Sequence, residues 1–208
     1  MKKISFIILI LILISSTDAQ ILRGIGVKVG TTFSSQDWNY SGLSSIASWS
    51  PDSKTGFNAG VFAEFLNNEN FSLVTELNFL EKGAEHEMPV TTADNPDGTG
   101  ATILWDASLT YINFSLLGKV RYNLNVVSPY VVLGPSLDVE LNKSEEVSSI
   151  DIDKTRLGLK AGIGSEINIL PVKLFAEFVY QHDFKSLFKN QLLEITSKAF
   201  DLRIGVMF

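Results

Sequence analysis

Apolar and polar residues alternate with a period of two along most of the chain after its first twenty positions. In the segment 21–33, the even positions from residue 24 onward are glycine, lysine or threonine, and the odd positions are mainly apolar. This period is that of a β-strand, whose successive side chains point to opposite faces. The pattern recurs and predicts eight strands, over residues 21–33, 55–66, 71–80, 107–122, 127–141, 155–168, 172–184 and 196–208. No segment has the period of a convincing amphipathic helix.

The connections between these segments alternate between long and short. The long ones are 34–54, 83–106, 142–154 and 185–195, and the short ones are 67–70, 123–126 and 169–171. The short ones contain asparagine or proline, which are turn formers. Strict alternation of this kind predicts an up-and-down meander with all long connections at one end. Outer-membrane barrels have an even number of strands, short periplasmic turns and longer outer loops.

Alternation alone is compatible with a membrane barrel and with a soluble, lipocalin-like periplasmic barrel, which differ in the face that points inward. Three features favour the membrane barrel. The polar face is rich in glycine, as a crowded interior requires. It carries single charges of both signs at mid-strand, namely Lys28, Glu64, Glu76, Lys160, Glu166, Glu177, Asp201 and Arg203. Phenylalanines bracket the apolar faces, as in Phe71 with Phe79, a spacing that interfacial girdles produce.

The predicted fold is therefore all-β, an eight-stranded antiparallel up-and-down transmembrane β-barrel. The interior of an eight-stranded barrel is just filled by side chains, so we expect the charged residues above to plug the lumen. A narrow conducting channel is the alternative, and it predicts measurable conductance in planar bilayers.

The N-terminus has the layout of a secretory signal peptide. A basic start, Met1-Lys2-Lys3, precedes an almost entirely apolar run over 4–14 and a small, polar stretch over 15–20. The apolar run is about half of the roughly 20 residues that a membrane-spanning helix needs. We expect cleavage after Ala19, which leaves 20–208 as the barrel domain in a bacterial outer membrane.

Composition removes several classes of function. The 208 residues include 45% hydrophobic and 19% charged residues, with a net charge of −6 and no cysteine. Nucleic-acid binding by a basic surface is not expected at this charge. Without cysteine there is no disulfide framework, thiolate metal site, cysteine nucleophile or lipoprotein anchor.

Several segments resemble a known family. Gly24–Gly30 resembles the opening strand of the PorT-like outer-membrane β-barrel proteins of Bacteroidetes, and Tyr111–Leu117 and Ser128–Ser136 are similar to its fourth and fifth strands. The last strand resembles the signal that the barrel insertion machinery reads, carried by Phe200, Leu202, Ile204, Val206 and Phe208. The resemblance implies no catalytic residues and no cofactor. The namesake of the family is implicated in protein secretion.

Candidate chemistry is sparse. His86 lies in a long connection, and His182 stands beside Asp183 near the end of the seventh strand. Some eight-stranded barrels modify lipid with a histidine and a serine, and this enzyme alternative predicts His182 hydrogen-bonded to a serine at the outer rim. The segments 94–98 and 151–153 hold clustered oxygen ligands but no complete calcium series. Trp38, Tyr40, Trp49 and Trp105 are either a recognition surface, interface anchors or loop packing.

The function that these observations favour is a small, non-enzymatic outer-membrane barrel with a structural or interaction role. It is either a scaffold for extracellular loops or a component of a surface or secretion assembly. The expected partners are outer-membrane lipid, the insertion machinery and an envelope protein that contacts the loops, with no nucleic acid. No catalytic, cofactor or metal site is expected.

Overall fold

A computed structural model describes residues 22–40, 48–49, 51–66, 68–96, 100–147, 153–184, 188–189 and 193–208. The predicted signal peptide, 1–19, lies outside this part of the chain. The long strands are β1 Leu22–Tyr40, β2 Asp52–Phe65, β3 Phe71–Pro89, β4 Thr102–Arg121, β5 Val127–Lys143, β6 Thr155–Ile169, β7 Val172–Asp183 and β8 Leu193–Met207. Among the described residues, no helix is long and apolar enough to cross a membrane.

The strands form a closed antiparallel ring in sequence order. Each long strand pairs with the next, and β1 pairs with β8 from Gly26↔Met207 to Tyr40↔Leu193. Two-residue segments, Ser48–Trp49 and Phe188–Lys189, add rungs beside β1 and β8. The prediction of an eight-stranded up-and-down barrel is confirmed. We call the end with the three short connections the turn end and the opposite end the loop end.

The apolar faces of the strands point outward, and the polar faces point inward. Val27 and Val29 are exposed, whereas Lys28 between them is only 2% exposed. Aromatic side chains stand on the outer surface near both ends, with Phe33, Phe57, Phe79 and Phe200 toward the loop end and Phe71, Tyr122 and Phe208 toward the turn end. We call the surface between these two sets the apolar band.

The height of the apolar band suits a bilayer. The outward positions run from Ile112 on β4 to Tyr122, which directly follows β4, and these two residues are ten positions apart. At roughly 3.3 Å per residue this is about 33 Å along the strand, or about 23 Å across at a ~45° tilt. Outer-membrane barrels carry an apolar band about 25 Å tall.

The strands reach further at the loop end than the alternating pattern predicts. β1 ends at Tyr40 rather than at residue 33, β3 ends at Pro89 rather than at 80, and β4 begins at Thr102 rather than at 107. Beyond the apolar band the outer face of the sheet meets water and needs no apolar side chains. The backbone ladder therefore continues where the sequence pattern stops.

One hairpin projects beyond its neighbours. β3 and β4 remain paired to the ends of both strands, but the last rung between β3 and β2 is at Glu85 and the last between β4 and β5 is at Leu109. Beyond the rung at Glu85, residues 86–89 and 102–105 form a two-stranded projection at the loop end. We call this projection, together with the pair Glu85 and Asp106 at its base, the ribbon.

The β2–β3 ladder is interrupted just below the ribbon, between Ser53 and Asn58. The Ser34 hydroxyl of β1 fills this gap. It accepts a hydrogen bond from the Gly83 amide (2.8 Å) and donates to the Gly83 carbonyl (3.0 Å). A side chain thus replaces the missing ladder partner, because buried backbone groups require one.

Inward-facing glycines make room for aromatic rings on adjacent strands. The directly opposed pairs are Gly26 with Phe62, Gly164 with Tyr130 and Gly205 with Phe175. A Cβ atom added at any of the three glycines would lie 2.4 Å from a ring atom of its partner. The glycine-rich inner face is therefore a packing requirement of a narrow barrel.

Candidate functional site

The barrel interior is filled with charged side chains of both signs. Among the described residues, fifteen charged side chains are buried. The bases are Lys28, Lys54, Lys82, Lys119, Arg121, Arg156, Lys160 and Arg203, and the acids are Glu64, Glu76, Asp138, Glu166, Glu177, Asp183 and Asp201. The eighth base, Lys54, lies 2.8 Å from the half-exposed carboxylate of Asp106. The remaining seven bases and seven acids make the interior neutral.

Arg203 is the centre of the middle cluster. Its guanidinium lies 3.0 Å from a Glu177 carboxylate oxygen, 3.4 Å from Glu76 and 3.8 Å from Asp201. Lys28 adds contacts to Glu76 at 2.5 Å and to Glu177 at 3.5 Å. Two cations thus share the same two glutamates, so removal of one partner leaves several charges uncompensated.

A second cluster lies toward the turn end, around Glu64. This carboxylate pairs with Arg23 at 3.2 Å, with Lys119 at 3.2 Å and with Arg121. Lys119 also pairs with Glu166. The Lys119 ammonium lies 4.0 Å from the centroid of the Tyr130 ring, a cation–π contact.

A third cluster lies toward the loop end, around Asp138 and Asp183. Lys82 contacts Asp138 at 2.7 Å, and Arg156 contacts Asp183 at 3.0 Å. The Arg156 guanidinium also stacks 4.4 Å from the Tyr111 ring centroid.

Asn113 joins this third cluster to the middle of the barrel. Its amide nitrogen donates to Asp138, and its amide oxygen accepts from Lys160 at 2.7 Å and from Asn78 at 3.1 Å. Lys160 lies 3.7 Å from Glu76, which belongs to the middle cluster. The polar interior is therefore continuous from the middle cluster toward the loop end.

The structure places the eight predicted lumen residues in two of these clusters. Lys28, Glu76, Lys160, Glu177, Asp201 and Arg203 lie in or beside the middle cluster, and Glu64 and Glu166 lie in the turn-end cluster. The prediction does not include seven further buried charges, namely Lys54, Lys82, Lys119, Arg121, Asp138, Arg156 and Asp183. All seven continue the inward parity of their strands, which is the signal that could have identified them.

Little space remains between these side chains. A cavity beside Glu76, Glu177 and Tyr130 has about 20 Å³ open to the centres of water molecules. That volume holds about one water molecule. A solute could not pass this point without rearrangement of the charged clusters.

The loop-end mouth of the barrel is apolar. A buried cluster there comprises Trp38, Leu80, Ala107, Leu109, Tyr111, Val147 and Ile195, with Trp105 packed against it. Val147 comes from a short 3-10 turn, Glu145–Val147, in the connection after β5, and it is only 3% exposed. Trp38 and Trp105 make an edge contact with ring centroids 6.0 Å apart. These two tryptophans pack in the mouth, while the side chains of Tyr40 and Trp49 lie outside the described part.

His182 lies on the outer surface of β7 within a column of aromatic rings. Its ring stacks 6.4 Å from Tyr180 and meets Phe184 edge-on at 6.2 Å. Within the described ranges no serine hydrogen-bonds to His182, and Ser186 lies outside them. This arrangement does not favour the lipid-modifying alternative, which needs an activated serine.

Metal ligands do not converge in the described part of the chain. No group of three or more His, Asp or Glu side chains there is placed to hold a metal ion. Asp94 lies in an exposed turn closed by the Thr92–Asn95 bridge, while Asp97 and Asp151 lie outside the described residues. His86 lies 3.4 Å from Asp52 at the surface.

The ion pair of Lys54 and Asp106 lies beyond the apolar band, where Asp106 is open to solvent. Burial alone would raise the pKa of Asp106, but hydrogen bonds from Lys54 and Ser108 hold it below its usual value. A lowered acid pKa stabilises the fold above the usual pKa, and this contribution is lost as the pH falls through the folded-state value.

We expect Asp106→Asn to lower the stability of the barrel at pH 7 by less than about 1 kcal/mol, because the carboxylate is half-exposed. The difference between wild type and variant should begin to shrink as the pH falls below about 4, the usual aspartate value, and should disappear once the pH is below the folded-state pKa. Urea unfolding in lipid vesicles at pH 7 and pH 3 measures it. A difference that grows toward low pH would contradict the assignment.

Comparisons with known proteins identify one family and several similar solved structures. A family described as outer membrane protein beta-barrel domain matches residues 17–189. Among solved structures, Neisserial surface protein A is 16% identical, with 88% of this chain and 95% of that chain covered and a TM-score of 0.47. The Ail protein of Yersinia pestis, solved in complex with the heparin analogue sucrose octasulfate, is 19% identical (89% and 99% covered, TM-score 0.44). OprG from Pseudomonas aeruginosa is 12% identical (89% and 96% covered, TM-score 0.45).

No curated protein matches the chain. The family match covers most of its length and agrees with the closed ring of eight strands and the outward apolar band, which together support a location in an outer membrane. The chain belongs to the outer membrane protein beta-barrel domain family.

Proposed function

We propose that this protein is a non-enzymatic component of the outer membrane whose closed barrel holds its long connections at the cell surface. It acts as a scaffold for contacts with another envelope or surface molecule. The observation that carries the proposal is the filled, neutral interior. A barrel that cannot pass solute has its two ends as the surfaces through which it can contact other molecules.

The charge balance of the interior supports a plug. Buried charges are tolerated only where they are paired and hydrogen-bonded, and here each acid of the middle and turn-end clusters has a cationic partner. An aqueous pore would leave these side chains hydrated and would not need such pairing. The side chains therefore serve as the packing of the barrel.

The asymmetry between the two ends supports a role at the loop end. The turn end has three tight connections, tied to one another by bonds such as Asn123 to the Glu69 carbonyl (2.9 Å). The loop end has the ribbon, the apolar mouth and the longer connections. Outer-membrane barrels place their longer loops outside the cell, so we infer that the loop end is extracellular.

Three finer assignments complete the proposal. Residues 1–19 export the chain as a signal peptide, and the chain is one of the PorT-like barrels of Bacteroidetes that its strands resemble. The alternate outward positions Phe200, Leu202, Ile204, Val206 and Phe208 of the last strand are the signal for the insertion machinery. The outward exposure of Leu202, Ile204 and Phe208 supports the last assignment.

The test measures both the location of the protein in the cell envelope and its conductance. We expect the protein to stay in the outer-membrane fraction after a urea wash, and to migrate differently in a gel before and after boiling. The purified barrel should produce no conductance steps in planar bilayers, where an open porin serves as the positive control. Soluble fractionation would contradict the location, and regular single-channel steps would contradict the plug.

A further inference from the structure

The ribbon presents one apolar face toward the mouth of the barrel. On β4 the odd positions Ala107 and Leu109 are buried in the mouth, and the same parity continues to Trp105 and Ile103. Ile103 pairs directly with Met88 of β3. Trp105 packs against the buried cluster, whereas Ile103 is 59% and Met88 is 42% exposed. His86 lies on the same face, directly opposite Trp105. Beyond this pair, the apolar lining of the mouth continues to the exposed side chains of Met88 and Ile103.

Lipid does not cover this face. Met88 lies nine residues beyond Phe79, the last outward phenylalanine of β3. At roughly 3.3 Å per residue and a ~45° tilt, this places Met88 about 20 Å beyond the edge of the apolar band. Exposed apolar side chains that continue a buried cluster into water are typical of a binding surface.

The described part of the loop end carries an excess of acidic side chains, including Glu85, Glu87 and Asp106 on the opposite face of the ribbon. At the loop end, the described charged side chains that are not buried number twelve acids and three bases, and the buried Lys54 adds a fourth cation through its ion pair with Asp106. The acids are Asp37, Asp52, Glu81, Glu85, Glu87, Asp94, Asp106, Glu140, Glu145, Glu146, Asp153 and Glu194, and the bases are Lys143, Lys154 and Lys198. A field of this sign attracts cationic partners and repels anionic ones.

We propose that the inner face of the ribbon, formed by Met88, Ile103 and Trp105, is the docking site of a cationic amphipathic polypeptide segment. The apolar side of the segment covers Met88 and Ile103, and its basic side faces the acidic loop end. This inference rests on the proposed function and names the class of partner. An anionic polysaccharide or lipid headgroup meets the wrong charge, and a second copy would bring two acidic loop ends together.

The test uses the mature protein in nanodiscs of zwitterionic phosphatidylcholine, with empty discs subtracted. The probe is a fluorescent helical peptide of leucine and lysine with the two residue types on opposite faces. One control peptide has the same composition in scrambled order, and another has glutamate in place of lysine. Binding is read by fluorescence anisotropy at low and high salt.

The matched variants lie on opposite faces of the same ribbon. We expect Met88→Ser with Ile103→Ser to weaken binding of the lysine peptide tenfold or more. Leu104→Ser should leave it unchanged, because Leu104 is similarly exposed (55%) but points to the other face. Binding should also weaken with salt, since screening reduces the attraction between exposed charges.

Four outcomes would overturn the proposal. They are no binding beyond empty discs, equal binding of the scrambled or glutamate peptide, an equal loss in Leu104→Ser, and self-association of wild type that the paired serines abolish. None of them touches the proposed function, because membrane fractionation and the absence of conductance are measured separately. Heat-modifiable mobility of each variant shows that it has folded.

Discussion

Replacement of Arg203 by methionine is expected to destabilise the barrel by about 3–5 kcal/mol, the usual cost of removing one partner from a buried ion cluster. Arg203 is 0% exposed and compensates Glu76, Glu177 and Asp201 at once. Methionine retains an unbranched apolar stem like that of arginine but lacks the guanidinium group, so the substitution removes the charge while part of the packing of the stem remains. The loss therefore reports mainly on buried carboxylates that are left without a cation.

Urea unfolding in lipid vesicles, followed by gel mobility without boiling, measures this loss. Lys198→Met is the matched control, because Lys198 lies on the same strand with its ion pair to Asp37 in solvent. Its loss should stay below about 1 kcal/mol. Addition of Glu177→Gln to Arg203→Met should restore part of the stability by removing one uncompensated charge. A loss for Arg203→Met no larger than that of the control would show that the interior clusters are hydrated.

Replacement of Gly26 by alanine is expected to cost about 1–3 kcal/mol, the range for overpacking a well-packed core, and to fall toward its upper end. The new Cβ would lie 2.3 Å from the Val206 carbonyl oxygen and 2.4 Å from the Phe62 ring. A ring can rotate away, but a ladder carbonyl of the adjacent strand cannot move without opening the β1–β8 pairing.

Gly118 supplies the matched control within a strand. A Cβ atom there meets nothing closer than 3.7 Å. Gly118→Ala should therefore be neutral or slightly stabilising, because alanine loses less backbone entropy than glycine on folding. The same unfolding measurement serves both variants. Equal effects of the two substitutions would mean that the inner face can accommodate a Cβ atom at Gly26, and that close packing is not the reason for its glycines.

The strands of the barrel wall could be predicted from the sequence because the wall separates lipid from a packed polar interior. Such a strand must alternate between apolar and polar residues, so the sequence shows that Val27 and Val29 point outward and Lys28 points inward. The pattern fails where that contrast ends. Lys82 lies beyond the predicted strand 71–80, and Asp138 lies in the predicted strand 127–141, whose two faces are less distinct, so the pattern does not identify either residue as an inward charge.

Contacts across the interior could not be predicted in the same way. Arg203 and Glu76 are 127 positions apart, and they meet only because the stagger of the ring brings their levels together. Alternation gives the face of a residue but not its height in the barrel. Val147 is a different case, because it lies in a connection without any period and its burial in the mouth follows from tertiary packing alone.

Because the apolar band faces outward, the stability of this protein depends on the lipid that surrounds it. Burial of Val27, Val29 and their equivalents is completed by hydrocarbon chains instead of by other parts of the polypeptide. Folding and insertion are then a single process, because a barrel closed in water would leave the whole band hydrated. Bilayers thinner or thicker than the band impose a mismatch cost on the native state, so the same sequence has a different free energy of unfolding in each lipid.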